Sequence, residues 1–108
     1  MRLLLLLLSI TLCQLSWAEK TVNLTSLEWP PYSGKNLPQQ GASVAVASAA
    51  FQAMGYKLVV DFFPWSRAVK LAQTPESKYV GYFPEYYSDA VAKDFSYSDA
   101  MGSGPLGF

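Results

Sequence analysis

Three short apolar segments alternate with two helical ones along this chain, and that alternation constrains the fold more than any other feature. Residues 21–27 alternate apolar and polar side chains, which is typical of a strand. Residues 57–62 and 79–83 are also apolar and strand-like. Between these segments, residues 43–54 and 65–73 carry apolar and small side chains at helical spacing. The order therefore predicts βαβ units, and with them an α/β fold built on a parallel sheet.

Glycine and proline mark where these elements end. Gly55 follows the first helical segment at the position where a left-handed residue commonly ends a helix. Pro64 precedes the second helical segment and suits its first turn. Two shorter elements are also predicted, namely one or two helical turns at 88–93 and the start of a further strand at 106–108.

The N-terminus has the pattern of a secretory signal peptide. Arg2 supplies a positive charge, residues 3–13 form a mostly apolar run, and residues 16–18 (Ser-Trp-Ala) end in a small-x-small pattern. The apolar run is shorter than the roughly 20 residues that span a bilayer. We predict that residues 1–18 are a cleaved signal peptide and that residues 19–108 are exported to the periplasm. An uncleaved N-terminal anchor is the alternative.

The composition excludes several classes of protein chemistry. The chain has no histidine, and its single cysteine, Cys13, lies in the predicted signal peptide. Disulfides, a cysteine nucleophile, histidine acid–base catalysis and an ordinary zinc site are therefore not expected. Eight basic residues balance eight acidic ones, and no basic cluster indicates nucleic-acid binding. We expect no catalytic residues, no cofactor and no metal.

A proline and at least one aromatic residue follow each predicted strand. The stretches are E-W-P-P-Y at 28–32, F-P-W-S-R at 63–67 and Y-F-P-E-Y-Y at 82–87. The carboxyl ends of parallel strands meet at one edge of a sheet, and open α/β sheets bind their ligands there. We expect these turns to hold aromatic side chains rigidly along that edge.

Taken in order, these stretches resemble the N-terminal half of the periplasmic solute-binding protein family 3, the type associated with polar amino-acid uptake by ABC transporters. The matching pieces are W-P-P-Y-S, G-A-S-V-A-V-A-S-A-A-F-Q-A-M-G, F-P-W-S-R-A and K-D-F-S-Y-S-D, and the likeness covers residues 20–108. The resemblance implies a parallel-sheet βαβ lobe of a type II periplasmic binding protein, in which two α/β lobes close on a ligand. Such proteins typically run to well over twice this length, so we expect residues 19–108 to be an incomplete first lobe with the second lobe absent.

The resemblance also implies a function. The chain would be the periplasmic receptor for a small polar solute such as an amino acid, acting as a monomer with the membrane permease of an ABC transporter. The extracytoplasmic sensing domain of a signalling protein has the same lobes and is the alternative, which a downstream transmembrane helix and cytoplasmic domain would reveal. An enzyme is least favoured, because the chain offers no nucleophile–base pair.

Five residues on these loops are candidate ligand contacts by resemblance. Tyr32 and Trp65 match positions that cover and line the ligand, where stacking or a cation–π contact contributes about 0.5–2 kcal/mol. Tyr82, Glu85 and Tyr86 fall in the loop that holds the ligand's α-amino group, and Glu85 could pair with a cation. Packing of the aromatic residues in the core and a solvated Glu85 are the competing interpretations.

Arg67 is the sixth candidate. It is the only arginine after the predicted signal peptide, and a guanidinium can clamp a carboxylate with two hydrogen bonds. A solvated surface arginine is the other interpretation. Amino-acid-binding members of the family usually carry a serine or threonine in the third loop and a carboxylate-clamping arginine five residues later, where this chain has Pro84 and Asp89. Either Arg67 takes over the clamp, or the ligand is a different one, such as a cation.

Overall fold

A three-stranded parallel sheet forms the centre of the fold, with helices packed against it. The structure is a computed structural model, and it describes residues 20–103. The predicted signal peptide at 1–18 and the predicted strand at 106–108 lie outside the described residues. The elements, in chain order, are β1 (Lys20–Ser26), a 3-10 turn (Pro38–Gln40), α1 (Ala42–Ala53), β2 (Tyr56–Phe62), α2 (Trp65–Gln73), β3 (Gly81–Tyr82) and α3 (Asp89–Ala92).

The strands lie in the order β2-β1-β3, and both pairings are parallel. β1 pairs with β2 along its whole length, from Lys20 opposite Tyr56 to Ser26 opposite Phe62. This arrangement confirms the prediction of an α/β chain that is built from parallel βαβ units.

The third strand is shorter than the predicted segment 79–83. Only Gly81–Tyr82 forms a strand, although the Phe83 N–H still donates to the Thr25 carbonyl oxygen at 3.1 Å. Pro84 follows and has no N–H with which to continue the ladder. The chain therefore leaves the sheet at Pro84, directly at the candidate ligand loop.

The predicted helices agree with the structure to within one residue at each end, and Pro64 is the one difference in detail. It occupies the N-cap position of α2 with an extended backbone (φ −54°, ψ 144°) rather than the first helical turn. Gly55 has φ +85° directly after the C-cap Met54 of α1, as predicted. None of the helices within residues 20–103 is long and apolar enough to cross a membrane.

α1 covers one face of the sheet. Its Val44 and Ala47 are buried in one cluster with Val60 of β2 and with Phe83, the residue after β3. The partly buried residues of this cluster are Leu24, Leu58 and Phe62. Full burial of a side chain such as valine or phenylalanine stabilises a fold by about 1.5–3 kcal/mol. The core therefore anchors Phe83, and with it the start of the loop after β3.

α2 covers the opposite face. Successive side chains of a strand point to opposite faces, so Thr25 faces away from the cluster that contains Leu24. The Thr25 hydroxyl donates to the carbonyl oxygen of Ala68 on α2 at 2.8 Å, and both residues are fully buried. Because the two crossover helices lie on opposite faces, the loops that leave the carboxyl ends of β1 and β2 diverge. Open α/β sheets bind ligands at such a switch point.

Candidate functional site

The loop after β1 is a closed turn. The N–H groups of Tyr32 and Ser33 donate to the Trp29 carbonyl oxygen at 2.9 and 3.0 Å, and the Trp29 N–H donates to the Ser33 carbonyl oxygen at 2.8 Å. The peptide between Pro30 and Pro31 is cis, which makes residues 29–32 a type VI turn. These bonds fix the two aromatic residues of the turn relative to the end of the strand.

The same turn caps helix α1. The Ala42 and Ser43 N–H groups donate to the carbonyl oxygens of Pro31 and Tyr32 at 3.2 and 2.8 Å. The first N–H groups of a helix have no partner within it, so these carbonyls satisfy two donors that would otherwise need water. Gly41 lies between the turn and the helix at φ +102°, and a Cβ there would lie 2.5 Å from the Tyr32 oxygen. The loop and the helix are therefore one rigid unit.

One aromatic cluster, the Trp29 cluster, consists of Trp29, Tyr32 and Tyr86. The Trp29 ring centroid lies 4.7 Å from that of Tyr32 and 6.4 Å from that of Tyr86, which it meets edge to face. Tyr32 and Tyr86 are 38% and 41% exposed, so each ring packs on one side and remains accessible on the other. The packing and ligand-contact interpretations of Tyr32 are therefore compatible.

A second aromatic cluster, the Tyr82 cluster, consists of Trp65, Tyr82 and Phe95. Tyr82 meets Trp65 and Phe95 edge to face, with centroid distances of 5.2 and 4.9 Å. Trp65 enters at the first residue of α2 and Tyr82 at the end of β3, so the cluster joins two of the three proline–aromatic loops. No local pattern in the sequence gives Phe95 a role in the site, although the residue belongs to the K-D-F-S motif.

Glu85 lies between the two clusters. Its Oε2 accepts a hydrogen bond from the Tyr82 hydroxyl at 3.0 Å, and its Oε1 accepts one from the Tyr86 N–H at 3.1 Å. Burial, followed by the hydrogen bond to Glu85 and its negative charge, raises the pKa of the Tyr82 phenol well above its ordinary range. The carboxylate is thus oriented by two contacts and is still exposed to solvent.

Tyr97 fastens the loop that carries Glu85 to the following segment. Its hydroxyl donates to the Tyr86 carbonyl oxygen at 2.9 Å and accepts from the Ser88 N–H at 3.2 Å. Its ring also lies 5.1 Å from the Tyr87 ring. This contact could not be predicted from the sequence, because no local pattern relates Tyr97 to a carbonyl eleven residues earlier.

A groove of about 450 Å³ extends this surface between the carboxyl ends of β1 and β2. Trp65 lines the groove and also belongs to the Tyr82 cluster, so the two features are continuous. The Glu28 carboxylate lies in the groove wall and accepts from the Lys35 N–H at 3.1 and 3.3 Å. The complete lining is Leu27, Glu28, Lys35, Phe62, Phe63, Pro64 and Trp65.

Arg67 belongs to neither aromatic cluster and packs instead on Phe63, a residue that also lines the groove. Its guanidinium carbon lies 5.5 Å from the Phe63 ring centroid, and Phe63 in turn meets Tyr79 edge to face at 5.8 Å. Within residues 20–103, Arg67 has no ion pair closer than 4 Å. The structure thus brings five of the six candidates together across the two clusters, and it places Arg67 beside a different group of side chains.

That neighbouring group contains a hydrogen bond that should depend on pH. The Tyr79 hydroxyl donates to Asp61 Oδ2 at 2.7 Å, and Lys78 Nζ lies 3.8 Å from the same oxygen. Burial, together with the hydrogen bond and charge of Asp61, raises the pKa of Tyr79 to about 12 from its ordinary value of 10.0. The fold therefore favours the protonated phenol.

The stabilisation from Tyr79 should be complete below pH 10 and should be lost as the pH rises from about 10 to about 12. Urea unfolding at several alkaline pH values measures it. Between about pH 10 and pH 12, Tyr79→Phe should lose less free energy of unfolding than the parent does. The pH-dependent loss that the variant retains should come from Tyr82. Tyr56→Phe, which removes a hydroxyl that bonds to no described residue, is the control. An unchanged pH dependence in Tyr79→Phe would contradict the assignment.

The described residues contain no group of three histidine, cysteine or acidic side chains that could hold a metal ion. The site that residues 20–103 present is therefore one of aromatic rings, carboxylates and backbone groups.

Comparison of the chain with family models, with curated proteins and with solved structures found no match.

Proposed function

We propose that the carboxyl edge of the sheet is one wall of a binding site for a small polar solute, such as an amino acid. In this proposal the chain is the periplasmic solute-binding component of an ABC-type uptake system and works with a membrane permease. One observation carries the proposal: four candidate residues from three separate loops lie in two aromatic clusters at this edge, and the fifth, Glu85, is hydrogen-bonded to Tyr82 between them.

The chemistry of this edge suits a small solute with polar ends. Ligand sites combine apolar and aromatic walls with a few fixed polar groups, and the aromatic clusters and Glu85 supply both. The turn at residues 29–32 is held by hydrogen bonds within its own backbone, and the loop at 82–88 is held by two hydrogen bonds with the Tyr97 hydroxyl. Such pre-organised loops lose little conformational entropy when a ligand binds. The resemblance to the solute-binding family supports the same assignment.

A single wall should bind a solute weakly, because tight binding requires most of the ligand surface to be buried. Trp29 and Trp65 are the only tryptophans after residue 18, and both lie at the proposed site. Titration of the chain with L-glutamine, L-glutamate and L-lysine should therefore change tryptophan fluorescence with dissociation constants in the millimolar range. Micromolar binding would contradict the single-wall proposal, and a flat response to all three would contradict a solute site here.

Periplasmic function requires export, which the proposed signal peptide predicts. Material from the periplasmic fraction should have an intact mass that corresponds to an N-terminus at Glu19, because cleavage is expected after Ala18. A Leu6→Arg variant, which interrupts the apolar run, should accumulate as an uncleaved precursor. Finding the shorter species only in the cytoplasm would contradict the prediction.

A further inference from the structure

We infer that the solute at this edge is an organic cation, whose ammonium group binds to Glu85 between the two aromatic clusters. The inference rests on the proposed function and specifies its substrate class. It follows from where the structure places the charges that surround the site, which the resemblance to an amino-acid-binding family does not supply.

Glu85 is arranged as an acceptor for a cation. Each carboxylate oxygen already accepts one hydrogen bond, from the Tyr82 hydroxyl and from the Tyr86 N–H, and each retains a free lone pair. These contacts fix the orientation of the carboxylate without neutralising it. Within residues 20–103, no lysine or arginine lies within 4 Å of the Glu85 carboxylate. An ammonium ion from the solute would supply the missing positive charge.

The neighbouring rings favour the same class of ligand. Tyr82 contacts Glu85 through its hydroxyl and Tyr86 contacts it through its backbone N–H. The rings of these two residues belong to the clusters that also contain Trp65 and Trp29. The face of an aromatic ring attracts a cation by about 0.5–1 kcal/mol at exposed sites, and more when water is excluded. A carboxylate flanked by two aromatic clusters therefore combines charge pairing with cation–π attraction.

The other charged residues around the site do not favour a ligand whose carboxylate must be held by an arginine. Arg67 lies over Phe63 and not in either aromatic cluster, so its position does not support the clamp role. Asp89 occupies the position after the third loop and accepts from the Tyr87 hydroxyl at 3.0 Å. An aspartate at this position cannot clamp a carboxylate, and an anionic ligand at Glu85 would be repelled by the Glu85 charge itself. Lys35 is the one basic residue in the lining of the adjoining groove.

Three probes of equal chain length test the charge requirement directly: cadaverine, 1,5-pentanediol and glutarate. They are titrated into the chain at constant ionic strength, with tryptophan fluorescence as the readout. Cadaverine should bind about tenfold more tightly than 1,5-pentanediol, because only the cation gains the carboxylate and ring contacts. Glutarate should bind more weakly still.

Glu85→Gln tests the assigned residue. The glutamine amide oxygen can accept from the Tyr86 N–H, and its amide nitrogen can donate to the Tyr82 hydroxyl, so both local contacts can remain while the charge is removed. The variant should therefore weaken cadaverine binding about threefold or more and leave 1,5-pentanediol binding unchanged. Glu76→Gln is the matched control, since Glu76 is an exposed carboxylate in the turn that precedes β3 and so lies toward the opposite edge of the sheet. It should bind cadaverine as the parent does.

The outcomes separate this inference from the proposed function. Three outcomes overturn the inference but leave the solute site at this edge intact. They are equal affinities for cadaverine and 1,5-pentanediol, a higher affinity for glutarate than for cadaverine, and an unchanged affinity of Glu85→Gln for cadaverine. A flat response to all three probes also overturns it. If L-glutamine, L-glutamate and L-lysine give a flat response as well, the proposed function fails too.

Discussion

Gly41→Ala should lower the free energy of unfolding by about 3 kcal/mol or more, because two costs coincide at this position. Gly41 has φ +102° and ψ 165°, a region that is essentially restricted to glycine. The added Cβ would also lie 2.5 Å from the Tyr32 carbonyl oxygen, which accepts the Ser43 N–H at the start of α1. The backbone would have to move, and the hydrogen bonds between the turn and the N-terminus of α1 would be weakened.

Gly55→Ala is the matched control for this prediction. Gly55 also has a positive φ, of +85°, but a Cβ there would meet nothing within 4 Å. It should therefore cost only the conformational strain, about 1 kcal/mol. Urea unfolding monitored by circular dichroism compares the variants. If both variants lose the same free energy of unfolding, the close approach of the added Cβ to the Tyr32 oxygen has no cost, which contradicts the prediction.

Phe83→Ala should have the second large effect, a loss of about 3–5 kcal/mol in the free energy of unfolding. Phe83 is 6% exposed and packs in the cluster with Val44, Ala47 and Val60. Its truncation leaves a cavity under the loop that carries Glu85. Its backbone also accepts the Ser26 hydroxyl at 2.7 Å, so the end of β1 should loosen together with this loop.

Val80→Ala provides the control on the same segment, because Val80 is 74% exposed and should cost less than about 0.5 kcal/mol. Urea unfolding again measures both variants. Near-equal stability of Phe83→Ala and the parent would mean that the core does not anchor the third loop as described.

Much of the fold could be predicted from the sequence because its signals are local. β1, β2, α1 and α2 each have a hydrophobic period or a bounding proline or glycine that identifies them within a few residues. β3 was predicted too long, since its length depends on which partner backbone groups it meets rather than on its own composition. Its pairing with β1 stops where Pro84 leaves the ladder.

The candidate site was only partly predictable, for a similar reason. Proline and aromatic residues after each strand indicated the right edge, but the capping of α1 by the carbonyls of Pro31 and Tyr32 is a tertiary contact with no local pattern. The separation of Arg67 from Trp65 was more accessible to sequence reasoning. Positions two apart on a helix do not face each other, and the two residues of α2 accordingly pack on different rings, Arg67 on Phe63 and Trp65 on Tyr82.

The most direct test of the central claim is to map where a solute contacts the chain by amide and indole NMR. Cadaverine and L-glutamine are titrated in turn, and chemical-shift changes are followed residue by residue. The account predicts saturable changes concentrated at residues 29–32, 63–65 and 82–86, including both indole N–H signals. Changes concentrated instead in the depression beside α1, which Gln39, Ser48 and Gln52 help to line, would contradict the claim that the carboxyl edge of the sheet binds the solute.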